Sequence, residues 1–266
     1  GFQVEPSMGN STKNTDGVQR ISLFDSLDGE WIKLPKAAML DVGPAAQTLG
    51  AIMRISNRET YVCAAEIAGK ARLPLLTVRK HIKTLDAAGW IKNDGRQPTR
   101  RGNLRRTATI KVTAKTNEAA YAFGFLPWWA CGGIRKVGKL RWSTRAVLSI
   151  VMAKLAKLAK TAGVQDDAAT GEDFVAFLDT LGGRDRFRFS LDELHEATGL
   201  HRESIVDAKR SLHQLKIIRW KGIPRGKKGT ACERDWLIPN FGFRVVITPA
   251  SPGCCFVEFQ GGSEFG

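Results

Sequence analysis

The chain has 266 residues, of which 43% are hydrophobic and 25% charged, a composition that excludes a disordered or membrane-embedded protein. Lys and Arg outnumber Asp and Glu by 41 to 26, and the formal net charge of +15 favours a polyanionic partner such as nucleic acid. The sequence contains neither a run of about eighteen apolar residues nor a secretory signal, so we expect a cytoplasmic protein with no membrane association.

In chain order, residues 1–29 are predicted to form a flexible N-terminal arm, because they are mostly polar and lack periodicity. A first domain is predicted over 30–116. Its predicted elements are helices over 34–40 and 44–55, a short strand at 60–62, helices over 63–70 and 75–88, and strands at 90–93 and 106–113. Gly89 suits the end of the last helix.

Residues 117–139 are predicted to be a connector, in which Trp128 and Trp129 serve either as an interdomain packing plug or as a base-stacking platform. A second domain is predicted over 140–240, with helices over 145–162 and 201–214 and an acidic insert at 163–186. Ser190 and Glu193 form a capping box that opens a further helix. The C-terminal tail, 241–266, has the alternation of one more hairpin.

The same residue pattern occurs twice, 127 residues apart. Glu66-Ile67, Thr77-Val78 and Trp90-Ile91-Lys92 in the first copy match Glu193-Leu194, Ser204-Ile205 and Ile217-Ile218-Arg219 in the second. Two short helices joined by a tight turn, then a strand and a cationic hairpin, have the spacing of a winged helix-turn-helix. The sequence therefore predicts a mainly α-helical α+β fold with small β-wings and two winged helix-turn-helix domains.

The third helix of the first copy has an outward surface typical of a DNA-reading helix. In a helix that turns about 100° per residue, Val78, Ile82 and Leu85 face inward. The opposite arc of the helix contains Leu76 and is cationic. The wing between 96 and 106 contains five arginines and no acid, and residues 70–115 carry thirteen Lys or Arg against two acids. The DNA-binding residues predicted here are Thr77, Arg79, Lys80, Lys83, Arg96, Arg100, Arg101, Arg105 and Arg106.

The second copy is less clearly basic. Glu203 and Asp207 occupy outward positions of its third helix, which therefore either reads bases or serves dimerisation. Lys209 takes the place of Ile82, so we expect the helix register to differ by a fraction of a turn. The wing is cationic across 219–228, and the DNA-binding residues predicted in this copy are Arg202, Arg210, Lys221, Arg225, Lys227 and Lys228.

Neither catalysis nor a cofactor is expected. The five cysteines include no CxxC pair, and the four histidines lie outside zinc-ligand spacing, so we predict reduced thiols and no metal site. The two tyrosines have no neighbouring histidine pair, and the chain has no phosphate-binding loop of the P-loop kind. The cluster of Asp192, Glu193, His195 and Glu196 is better explained as a helix cap with solvated neighbours.

The paired patterns around Glu66–Lys92 and Glu193–Arg219, with their wings, resemble those of plasmid and phage replication initiators. The resemblance implies a DNA-binding protein in which one winged helix also serves dimerisation and both engage repeated origin sequences. Replication initiation is the first hypothesis, transcriptional repression the second and a protein-interaction module the third. The partner expected is double-stranded DNA, with a homodimer and a replication or regulatory protein as further candidates.

Overall fold

The protein is a mainly helical α+β structure with small antiparallel sheets. The computed structural model describes residues 19–22, 31–55, 60–96, 102–103, 108–119, 122–131, 140–161, 187–222, 234–240, 244–251 and 254–260.

A two-stranded ribbon lies between two groups of helices. Strand β1 is Gln19–Ser22, and strand β2, Trp31–Pro35, precedes helices α1, Lys36–Val42, and α2, Ala45–Ile55. The helix predicted over 34–40 is wrong at its start, because Leu34 and Pro35 belong to a strand that pairs with residues about 90 positions later.

A first unit follows α2. It consists of β3 (Thr60–Val62), α3 (Ala64–Ala71), α4 (Leu75–Ala87), β4 (Ile91–Asn93) and β5 (Ala108–Val112). The three strands form an antiparallel sheet in the order β3-β5-β4, and the buried side chains of α3 and α4 pack with α2. These elements lie close to the bounds predicted from the sequence.

The stretch predicted as a connector also contains regular structure. Helix α5, Ala114–Ala119, leads to strand β6, Phe123–Pro127, which pairs antiparallel with β2. A 3-10 turn, Trp128–Ala130, and helix α6, Trp142–Thr161, come next. Strand β2 packs on α2 and strand β6 packs on α6, so the ribbon joins the two halves of the described structure.

A second unit follows α6. It consists of β7 (Arg188–Ser190), α7 (Leu191–Thr198), α8 (Arg202–Gln214), β8 (Ile218–Gly222) and β9 (Arg234–Pro239). Its sheet has the order β7-β9-β8, equivalent to that of the first unit. Helix α6 packs on α8 much as α2 packs on α4. The acidic insert predicted at 163–186 lies outside the described residues.

The helices of the two units coincide at the offset of 127 residues. Helices α3 and α7 have eight residues each, and α4 and α8 have thirteen. Left-handed backbone occurs at Arg72 and Gly89 in the first unit and at the equivalent Gly199 and Lys216 in the second. Helix lengths and turn conformations therefore repeat without an insertion.

The strand registers coincide at the same offset. Ile91 pairs with Val112 in the first unit, and the equivalent Ile218 pairs with Pro239 in the second. Since helices, turns and strand pairs all keep one spacing, the paired positions of the two hairpins are separated by equal numbers of residues.

A third three-stranded sheet brings together segments from the first and last parts of the chain. Strand β1, inside the stretch predicted as a flexible arm, pairs with β10, Arg244–Ser251. Strand β10 also pairs with β11, Cys254–Gln260, forming the hairpin predicted in the tail. Buried residues of both units, of β2 and β6 and of α6 belong to one continuous hydrophobic core.

Candidate nucleic-acid interface

The turn between α3 and α4 is fixed by caps at both ends of α3. The Cys63 thiol caps its first turn by accepting a hydrogen bond from the Glu66 N–H at 3.3 Å. Arg72 ends the helix in the left-handed conformation at φ 50°, and the Leu73 N–H donates to the Ala68 carbonyl at 3.1 Å. Helix α4 starts directly after Pro74, which occupies its N-cap position without a side-chain hydrogen bond.

Helix α4 separates an apolar inner face from a cationic outer face. Val78, Ile82 and Leu85 are buried, as the periodicity predicts. Leu76 is 66% exposed at the start of the outer face. Of the predicted DNA-binding residues on α4, Arg79, Lys80 and Lys83 are exposed and Thr77 is half-buried.

Behind α4, a hydrogen bond connects it to α2, and a buried amide of α2 connects α3 to α6. Nδ1 of His81 lies 2.7 Å from the Thr48 hydroxyl of α2. The neighbouring Gln47 donates to the Ala71 carbonyl at 2.7 Å and accepts from the Arg145 guanidinium of α6. Burial lowers the pKa of His81, and the charge of Arg145 lowers it further. Neutral His81 therefore holds α4 against α2.

Only part of the loop of the first hairpin, which contains the predicted arginines, is among the described residues. Arg96 is exposed after Gly95, whose φ of 67° suits glycine, and Gly102 at φ 79° is described further along the same loop. The acids at its base are held locally, since Asp86 accepts from the Asn93 N–H and Asp94 pairs with Lys92. Arg100, Arg101, Arg105 and Arg106 lie outside the described residues.

A tryptophan anchors the start of this hairpin to α1. Trp90 is buried, and its indole N–H donates to the Asp41 carboxylate at 2.8 Å. Lys115 donates to the same oxygen at 2.7 Å and lies 4.4 Å from the centre of the Trp90 ring. Hydrogen bonds from Lys115 and Trp90 lower the pKa of Asp41, so its carboxylate is charged at neutral pH.

The equivalent surface of the second unit has the opposite charge. Residues 64–87 of the first unit carry a formal +3, and the matching 191–214 carry −2. Glu203 and Asp207 are exposed where α4 has Leu76 and Lys80. Because their carboxylates repel phosphate, α8 is a weaker candidate for backbone contact than α4.

The two arginines predicted on α8 are exposed but engaged in ion pairs. Arg202 lies 2.6 Å from Asp192, and Arg210 lies 2.8 Å from Asp207. Both would have to leave these carboxylates, or share them, to contact DNA. Lys221 lies in β8 and only its backbone is described; Arg225, Lys227 and Lys228 lie outside the described residues.

The expected difference in helix register between α4 and α8 is wrong. Lys209 occupies the inward position of Ile82 without rotation of the helix, since the flanking Ile205 and Leu212 are buried like Val78 and Leu85. Its ammonium is instead paired with the Asp235 carboxylate and lies 5.0 Å from the centre of the Trp220 ring. The sequence at this position alone does not reveal the partner 26 residues away.

The two adjacent tryptophans have different surroundings. Trp129 is buried in the shared core, which favours the packing role over base stacking. Trp128 is half-buried, and the Arg72 guanidinium lies over its ring at 4.2 Å. This contact links the segment after β6 to the end of α3, and the sequence gives no signal for it.

The described residues contain no group of three His, Cys, Asp or Glu side chains that could hold a metal ion. Nor does any described helix have the length and apolar character needed to cross a membrane. Comparison with known proteins finds no matching family model, no matching curated protein and no matching solved structure.

Proposed function

We propose that the two units are winged helices and that the chain binds specific double-stranded DNA as a replication initiator. The observation that carries the proposal is the outer face of α4. Arg79, Lys80 and Lys83 are exposed there and form no ion pair with other described residues, beside the exposed Leu76.

The order of elements supports the winged-helix assignment. In each unit a short strand precedes two helices joined by a tight turn, and a two-stranded hairpin follows. In this arrangement the last helix enters the major groove and the hairpin lies against the backbone. Lysines on such a helix donate to guanine O6 and N7, and Leu76 suits contact with a thymine methyl.

The first experiment is selection from a pool of random duplexes, followed by affinity measurements over a salt series. We expect the selected duplex to bind about 10³-fold or more tightly than random duplex, and the affinity to fall steeply with salt. Lys80→Ala with Lys83→Ala should remove most of this preference, because base-edge contacts are lost.

The matched control removes two lysines away from α4, Lys36→Ala and Lys157→Ala, which lie on α1 and α6. It lowers the net charge by the same amount, so it should reproduce only the nonspecific loss of affinity. Equal loss of preference in both double variants, or no enriched duplex at all, would contradict the proposal.

Transcriptional repression is the second candidate, because the same binding geometry serves it. The position of the selected sequence in the source genome separates the two: direct repeats at an origin support initiation, and one site overlapping a promoter supports repression. The acidic surface of α7 and α8 is the observation that favours the third candidate, a protein-interaction module. That candidate gains if no duplex is enriched.

A further inference from the structure

The side chain of Leu76 lies at the centre of the outer face of α4. In a helix that turns about 100° per residue, Leu76, Lys80 and Lys83 follow one line along that face. The buried Val78 and Leu85 lie on the opposite side. Leu76 is 66% exposed and belongs to the first turn of the helix. An apolar side chain therefore lies at the N-terminal end of a row of cations.

The second unit shows that packing does not require an apolar side chain at this position. The residue equivalent to Leu76 is Glu203, which is likewise exposed in the first turn of α8. Helix α8 nevertheless has the same length as α4, and Ile205 and Leu212 are buried on its inner face. Since the same backbone arrangement accepts a carboxylate there, the Leu76 side chain is available for a contact outside the chain.

The surroundings of Leu76 fit a base edge better than a protein partner. Protein interfaces bury about 800 Å² on each side and have few charged residues at their centre. Leu76 instead has Arg79, Lys80 and Lys83 beside it, all exposed and without an ion pair to another described residue. In the major groove, the C5 methyl of thymine is an apolar group close to phosphates, which attract such cations.

From these observations we infer that Leu76 reads a thymine through its C5 methyl group, within about two base pairs of a guanine that Lys80 contacts. The inference rests on the proposed DNA-binding function and names one determinant of its sequence preference. The N-terminal residues of a groove-binding helix contact base edges, which places Leu76 at the bases. Residues four positions apart are separated by about 6 Å along the helix axis, and neighbouring base pairs by about 3.4 Å.

A methyl contact and a lysine contact contribute to affinity in different ways. The methyl contact involves no charge, so the affinity that it adds is nearly independent of salt, whereas a lysine that neutralises a phosphate increases the salt dependence. Burial of one methyl group changes an affinity about fourfold. The contribution of Leu76 is therefore recognised by its dependence on one methyl group of the DNA and by its independence of salt.

The test uses the duplex that the wild-type protein selects from a random pool. Each of its thymines is replaced singly by uracil, which removes the methyl group and leaves the hydrogen-bonding groups of the base unchanged. We expect one replacement, within about two base pairs of a guanine, to weaken binding of the wild type about fourfold. Because the replacement changes only the DNA, the result does not depend on the folding of a protein variant.

Leu76→Ala assigns the methyl contact to its side chain. In this variant the thymine and uracil duplexes should bind within about 1.5-fold of each other, because the apolar contact is already lost. The slope of affinity against salt should equal that of the wild type. The matched control is Leu40→Ala, which removes the same atoms from a leucine that is 53% exposed on α1. It should keep the fourfold difference, and circular dichroism checks that both variants fold.

Two results overturn this inference and leave the proposed function intact. Either no uracil replacement in the selected duplex weakens binding, or Leu76→Ala retains the difference between thymine and uracil. A changed oligomeric state of Leu76→Ala in sedimentation, together with a retained difference, would assign Leu76 to a protein contact instead. If the wild type enriches no duplex at all, the proposed function fails and the inference fails with it.

Discussion

Lys209 and Asp235 form an ion pair at the two positions where the first unit has Ile82 and Ala108. The Lys209 side chain is 3% exposed and that of Asp235 18%. One pair of apolar side chains between the last helix and the hairpin is thus replaced by a pair of opposite charges. The two units keep the same packing with different chemistry at this contact.

Removing one partner of this pair should destabilise the protein strongly. Asp235→Ala leaves the Lys209 ammonium buried without a counter-charge, and we expect a loss of about 3 kcal/mol in the free energy of unfolding. Lys209→Ile with Asp235→Ala copies the first unit and should cost less than about 1 kcal/mol. Urea denaturation measures both. A double variant as unstable as the single one would show that the pair is not replaceable by its apolar counterpart.

Because β6 lies close to α6, we expect one substitution on β6 to destabilise the protein and a second substitution on α6 to restore part of the stability. In Gly124→Ala the new Cβ would lie 2.3 Å from Ser149 Oγ, and the crowding should cost about 2 kcal/mol. Adding Ser149→Gly removes that oxygen and should recover part of the loss, seen as a rise in the thermal midpoint over Gly124→Ala alone.

The control for this pair is Gly69→Ala on α3, where an added Cβ meets nothing within 4 Å. It should stabilise the protein by about 1 kcal/mol, since alanine is the better helix former. If Ser149→Gly brings no recovery, backbone rather than side-chain contact limits the approach of β6.

Two equivalent positions with left-handed backbone should respond in opposite directions. Lys216 has φ 57°, which costs a residue with a Cβ about 1 kcal/mol, so Lys216→Gly should raise the free energy of unfolding by about that amount. Gly89 has φ 74°, and Gly89→Ala should lower it by a similar amount. Chemical denaturation of the two variants checks the signs; the same sign for both would contradict the equivalence of the turns.

His81 should make the protein acid-sensitive. Its pKa in the folded state is lowered from the ordinary 6.5 by burial and by Arg145, so the unfolded chain takes up a proton that the folded chain resists. The contribution of neutral His81 to the stability of the fold is fully present above the unfolded-state pKa and is lost as the pH falls below it. His81→Gln should reduce the loss of thermal stability between about pH 7.5 and pH 5.5.

The control for His81 is His201→Gln, because His201 is exposed before α8 and its side chain makes no capping hydrogen bond. This variant should lose as much stability on acidification as the wild type. If His81→Gln does the same, the acid sensitivity arises elsewhere.

Local patterns in the sequence are sufficient to predict both units. The apolar spacing of α4, the capping box of Ser190 and Glu193, and Gly89 at a helix end each depend on residues a few positions apart. The constant offset of 127 is visible in the order of residues alone. The cationic outer face of α4 follows from the same order of residues together with the helical period.

Contacts between distant residues are what the sequence alone does not reveal. The sequence favours a helix for part of β2 and a connector for β6, because five residues have little intrinsic preference and their pairing spans about 90 positions. Lys209 indicates a change of register when read alone, because its carboxylate partner is on another strand. At the candidate site, the ion pair of Arg202 with Asp192 likewise depends on how α7 and α8 pack, whereas Arg210 pairs with Asp207 within α8 itself.

The gapless correspondence of the two units concerns helix ends, turns and strand registers, whereas their outer side chains have diverged in charge. Such a chain contains two units of the same backbone spacing in a single polypeptide. The outer side chains of one unit can therefore change without altering the backbone spacing that the two units share.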